Sequence, residues 1–164
     1  MLHALDVALL VPGCAILITS PRDGDLNRKD QAMKAYRFQD KNREIEALLD
    51  PEQQFSYSWD LSLEETDAVR HGISACESLA DLAAYVACSG LQANVPGLIV
   101  LEGTESEDTP LDGEMGEVLV LPTTARWADE ATEDRFFNVV GDLVDMYYSG
   151  QSFEDVREAA QDLI

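Results

Sequence analysis

The sequence predicts one α+β domain over residues 1–164: a small mixed sheet containing an antiparallel pair, packed by helices, with two helices at the C-terminal end. Three observations carry that expectation. Leu98-Ile99-Val100-Leu101 and Val118-Leu119-Val120-Leu121 are short apolar runs with the length of buried strands. Ser62 with Glu65, Ser78 with Asp81, and Ser152 are polar residues placed to cap helices. Phe136, Val139, Val140, Leu143, Val144 and Tyr147 recur at the spacing of one helical face. With 164 residues and 46% apolar content the chain can bury a core of its own.

Taken in order, Leu2 to Val11 reads as an apolar helix closed by Pro12-Gly13, and Cys14 to Thr19 as a short buried strand. Pro21-Arg22-Asp23-Gly24-Asp25 is a turn. A helix is expected from there to about Leu49, stopped by Asp50-Pro51, with Ala35, Phe38, Asn42, Ile45 and Leu49 on one face. Phe55 to Trp59 alternates aromatic with serine, the period of a strand exposed on one side. A short capped helix runs from Ser62 to near Gly72, and another from Leu79 to Cys88, stopped by Gly90. The two apolar strands follow, joined by a long loop from Glu102 to Glu117. Helices from about Thr132 to Ser149 and from Phe153 to Leu163 complete the chain, separated by Gly150.

Charge is distributed unevenly. The formal net charge is −21, yet seven of the eleven basic residues lie between Arg22 and Arg43. From Pro51 onward 24 acids face four arginines, Arg70, Arg126, Arg135 and Arg157. Such a body is repelled by bare nucleic acid and by acidic lipid headgroups. No apolar run reaches the ~20 residues that span a bilayer. The first residues carry no cation, so they do not read as a secretory signal. Cys14, Cys76 and Cys88 are odd in number without a Cys-x-x-Cys pair, and read as reduced thiols of a cytoplasmic protein.

Motifs for metal and nucleophile chemistry fail at the residues that matter. His3 and His71, the only histidines, have no partner at ligand spacing. Asp23-x-Asp25-x-Asn27 begins like a calcium loop, but Arg28 stands at the required glycine and Lys34 at the bidentate glutamate. Asp142 and Asp145 share a helical face with solvent. There is no Gly-x-Ser-x-Gly, no phosphate loop and no dinucleotide fingerprint, so the sequence calls for no cofactor and no metal.

Over about fifty residues, His71-Gly72, the capped helix, Leu98 to Glu102 and Gly116-Glu117-Val118-Leu119-Val120 resemble small ADP-ribosyltransferases. That resemblance implies a dinucleotide-binding enzyme with His71 and Glu117 as the functional pair. The Ser-Thr-Ser and catalytic tyrosine of that family are missing here. In overall character (small, one domain, strongly acidic, no catalytic signature) the chain is similar to phage- and plasmid-encoded antirestriction and anti-CRISPR proteins.

The leading expectation is therefore a non-enzymatic acidic interaction protein that inhibits a host defence nuclease or CRISPR complex by nucleic-acid mimicry. Its partner would be a cationic protein surface, reached by the loop acids Glu102, Glu105, Glu107, Asp108, Asp112, Glu114 and Glu117. Asp129, Glu130, Asp134, Asp142 and Asp145, on and beside the long helix, form the second candidate array. The basic segment carrying Lys34, Arg37 and Lys41 either pairs internally, at spacings such as Asp30 with Lys34, or docks on the acidic face of a second copy. The competing explanation of the charge is adaptation to salt or solubility, which would coat the surface evenly.

Overall fold

The structure is a computed structural model and describes residues 31–57 and 69–164. The expected helix Leu2 to Val11, the strand Cys14 to Thr19, and the start of the helix capped by Ser62 lie outside the described residues.

Four strands form a closed ring in the order β1 (Met33–Asp40), β4 (Ile73–Cys76), β6 (Glu117–Trp127), β5 (Pro96–Glu105). Two short strands, β2 (Phe55–Tyr57) and β3 (Val69–His71), pair separately. Every pairing among the described residues is antiparallel, including the expected pair of apolar strands, β5 with β6. β1 runs beside β5 from Met33↔Gly103 to Asp40↔Pro96, whereas the ring closes onto β4 through Tyr36↔Cys76. Among the described residues three helices pack together beside the ring: α1 (Leu79–Ser89), α2 (Glu130–Tyr148) and α3 (Phe153–Leu163). The α+β domain with two C-terminal helices is thus present.

The apolar run of β5 is unbroken because both of its faces are buried. Leu98 packs into the helical cluster with Leu82, Val86, Phe136, Val139, Leu143 and Val156. Ile99 and Leu101 point the other way, into the ring, with Ala35, Ile73, Ala75 and Val120. Each fully buried Leu or Ile contributes about 2 kcal/mol from surface withdrawn from water. A register shift at Glu102/Gly103 brings β5 and β6 unusually close. A Cβ on Gly103 would collide with the Leu121 carbonyl and come within 2.7 Å of Pro122 Cα, so only glycine fits.

Helix ends follow their capping chemistry. Ser78 Oγ accepts from the Asp81 N–H at 3.0 Å to start α1, and Gly90, at φ 69°, ends it. Ser152 and Asp155 form a reciprocal capping box on α3. α2 starts at Glu130, before the expected Thr132, because Asp129 is its cap: Oδ1 accepts from the Thr132 N–H at 3.0 Å.

Two helix expectations are overturned. Residues 33–40 form strand β1, and only a 3-10 turn at Glu46–Leu49 survives from the helix expected to reach Leu49. The Ala35, Phe38, Asn42 spacing coincides with a helical face, but the operative period is two. Ala35 faces the ring interior while Tyr36 and Phe38 pack against the helices. Polar Arg37 and Gln39 share the Ala35 side of the strand and disguise the alternation. Likewise the segment before Gly72 ends in strand β3, held by its ladder to Phe55–Tyr57, rather than in a helix. The loop expected from Glu102 to Glu117 is shorter, since β5 continues to Glu105 and β6 begins at Glu117.

Candidate functional site

The loop acids split into two kinds. Glu102, Glu107, Asp108 and Glu114 are exposed, and Glu105 and Asp112 are half-buried. At least four of the seven accept hydrogen bonds inside the molecule, Glu102 Oε2 among them from the Thr124 hydroxyl at 3.5 Å. Asp108 Oδ2 takes the His71 N–H at 2.6 Å, Asp112 Oδ2 takes the Tyr85 hydroxyl at 2.9 Å, and Glu117 Oε2 takes the Asp112 N–H at 2.8 Å. Tyr85 loses acidity through burial and through that bond to Asp112. Glu117, only 6% exposed, cannot belong to a solvent-facing array.

Glu117 instead sits in the interior beside Arg70, whose Nη1 is 3.7 Å from Glu117 Oε2. That is too long for a hydrogen bond, and Arg70 Nε and Nη1 are buried with no hydrogen-bond partner. Arg37 lies within electrostatic reach of Glu117 as well. Burial, then repulsion from Arg43, lowers the Arg37 guanidinium to about 10, against an opposing pull from Glu117. The neighbouring Cys76 thiol is pushed up to about 12 by burial and by Asp81 and Glu117, which keeps it protonated and inert. Cys76 and Cys88 are both free thiols.

His71 and Glu117, the pair that the ADP-ribosyltransferase resemblance implies, have different surroundings. Successive side chains of a strand point to opposite sides. Arg70 turns toward Glu117, and the exposed His71 ring rests on Phe55, with centroids 5.4 Å apart. A shallow cavity of about 350 Å³ is lined by His71, Glu105, Glu107 and Asp108, but Glu117 is not among its walls. Among the described residues no group of three or more His, Cys, Asp or Glu is placed to hold a metal ion. No helix of the described residues is long and apolar enough to cross a membrane.

In the described part of the basic segment Lys34, Arg37 and Lys41 have partners within the molecule, while Arg43 is exposed. Arg37 Nη1 donates to the Ser74 carbonyl at 2.6 Å and Nε to Gln39 Oε1 at 3.2 Å. Lys41 pairs with Glu133, whose other oxygen accepts from the Leu98 N–H at 3.0 Å. Lys34 lies over the Tyr36 ring, 5.1 Å from its centroid, and is opposite Glu102 in the ladder. Asp30 lies outside the described residues.

The C-terminal helices present the reverse picture. They form an antiparallel hairpin, since Arg135, early in α2, donates to the Leu163 and Ile164 carbonyls at the end of α3. Phe136, Val139 and Leu143 of α2 and Val156 and Ala160 of α3 are buried. Opposite them, Glu130, Asp134, Asp142 and Asp145 are exposed on α2. Asp129 is exposed too, but it serves as the cap, and the Thr132 N–H and hydroxyl hold its carboxyl below the usual 3.8.

A further row lies on α3: Glu154, Glu158 and Asp162, spaced four apart and all exposed, a spacing that the sequence itself displays. The two arginines of the hairpin make their hydrogen bonds with other groups, Arg135 with the Leu163 and Ile164 carbonyls and Arg157 Nε with Asp81 at 2.6 Å. Comparison with protein-family models, with curated proteins and with solved structures finds no match for this chain.

Proposed function

We propose that this protein is a non-enzymatic acidic interaction protein whose helical hairpin enters the basic channel of a nucleic-acid-binding partner and excludes the nucleic acid. One observation carries the reading: besides the capping Asp155, the α2–α3 hairpin holds seven exposed carboxylates (residues 130, 134, 142, 145, 154, 158 and 162) on its outward sides, while Arg135 bonds the carbonyls at the end of α3 and Arg157 pairs with Asp81. With a rise of 1.5 Å per residue, the row on α3 repeats every ~6 Å, and the hairpin as a whole carries roughly one charge per 4 Å. A nucleic-acid strand carries one per ~3.4 Å. Helices keep such charges in place, so the partner need not order a loop to meet them. An inhibitor of a host defence nuclease or CRISPR complex is one protein of this kind, and fits the chain's small size and acidity.

The test is affinity capture from a nuclease-treated lysate of the host cell, followed by elution with a DNA duplex. The expected outcome is capture of a nucleic-acid-binding protein that DNA releases and that binds about tenfold or more weakly to the Glu154→Lys, Glu158→Lys, Asp162→Lys variant. Capture that is insensitive to salt, to DNA and to this variant would sink the proposal and leave solubility as the meaning of the charge.

A further inference from the structure

We infer that the outward edge of α2 at Gly141, Asp145 and Tyr148 is a docking edge for an arginine side chain of a basic protein partner; this rests on the interaction reading above and names the anchor. These residues lie four and three apart, on one line of the helix and away from the buried Phe136, Val139 and Leu143.

Each is a poor choice for the helix alone. Gly141 occupies the interior of a 19-residue helix, yet a Cβ there would meet nothing within 4 Å, so no close packing explains it. Asp145 puts a carboxylate in the last turn, where the helix dipole favours cations, and that turn contains no basic residue. Tyr148 is 80% exposed, its ring meeting that of Tyr147 edge-on at 6.0 Å. Local rules broken together on one face, with no compensation among the described residues, are the mark of a surface shaped for something else.

The chemistry of that edge selects a planar cation. The Tyr148 ring offers a π face, on which a guanidinium stacks. The Asp145 carboxylate, one turn earlier on the same side, can take a bidentate pair of N–H groups. The negative end of the helix adds to the attraction, and Gly141 leaves the backbone open to close approach. A lysine ammonium would gain the charge but neither the stacking nor the fork. A second copy of the chain, which exposes Arg43 and Arg126, is the competing source of the cation, and sedimentation tells the two apart.

The test measures binding of blocked hexa-arginine and hexa-lysine peptides to the whole protein at low salt, with thermal melts as the folding control. The wild type should prefer hexa-arginine by about two- to fivefold. Tyr148→Ala should erase that preference with an unchanged melt, and Tyr148→Phe should keep it. Asp145→Asn should weaken hexa-arginine binding while the fold becomes more stable. Equal binding of the two peptides by the wild type, or a preference that survives Tyr148→Ala, overturns the inference, as does self-association in sedimentation that Tyr148→Ala abolishes. The Glu154, Glu158, Asp162 reversal separates the two levels. If it weakens both peptides while Tyr148→Ala does nothing, only the anchor is wrong. If it too changes nothing, the acidic-interaction reading falls with it.

Discussion

The end of the strand ring and the helical hairpin use charge in opposite ways. Around Glu117 the ionisable groups are turned inward: Arg37 holds the Ser74 carbonyl, Arg70 lies beside Glu117, and Glu117 holds the Asp112 N–H. On the hairpin, the carboxylates of residues 130, 134, 142, 145, 154, 158 and 162 face solvent, and the arginines bond elsewhere. A buried charge must be matched where it sits, so the ring end admits little change. Exposed charge on a helix is nearly free of such constraint and is available to a partner. The net acidity of the chain is therefore the wrong quantity to read. What matters is which carboxylates the fold has left unmatched.

The strongest way to break this contrast is Glu117→Ala. It should cost about 3–5 kcal/mol in urea unfolding, because Arg70 is left buried without a carboxylate and the Asp112 N–H loses its acceptor. Replacing both partners, Arg70→Met with Glu117→Gln, should recover part of that loss, since two unsatisfied N–H groups disappear with the charge. A loss near zero for Glu117→Ala would mean that the ring end is no different from the surface. Arg37→Ala comes next, at about 2 kcal/mol, through the donors lost to the Ser74 carbonyl and Gln39. By contrast, single reversals at Glu154, Glu158 or Asp162 should stay within about 0.5 kcal/mol in the same assay.

The smallest effect expected is on the acid limb of stability. Hydrogen bonds from the Thr132 N–H and hydroxyl to Asp129, and from the Ser152 hydroxyl and N–H to Asp155, hold both carboxyls below their usual 3.8. Their folded pKa values lie under the unfolded ones. The stabilisation is therefore complete above about pH 4 and is lost as pH falls through the folded values. In a pH series of thermal melts, Asp129→Asn and Asp155→Asn should flatten that limb while leaving the neutral plateau close to wild type. An unchanged limb would show that these caps do not titrate with folding.

Legibility followed how local the determining interaction is. The α1 cap at Ser78, the α3 cap at Ser152 and the apolar face of α2 could be read because each is settled within a few residues. β1 could not, since its form depends on a ladder to β5 about sixty residues away. Glu117 read as one more acid of an anionic loop, since nothing adjacent in sequence announces Arg70 as its neighbour. The α3 row is visible in the spacing of Glu154, Glu158 and Asp162, but the loop from Glu102 to Glu117 carries the denser acid signal.

The sequence by itself determined the α+β class, the buried pair of strands, the capped C-terminal helices and the large excess of acid, because composition, period and capping act over a few residues. Only the tertiary structure decided that residues 33–40 are a strand, that His71 is exposed while Glu117 is buried, and that the basic residues Arg37 and Lys41 have hydrogen-bond partners within the molecule. Those outcomes depend on contacts between segments far apart in the chain, where ladder pairing and desolvation outweigh local preference.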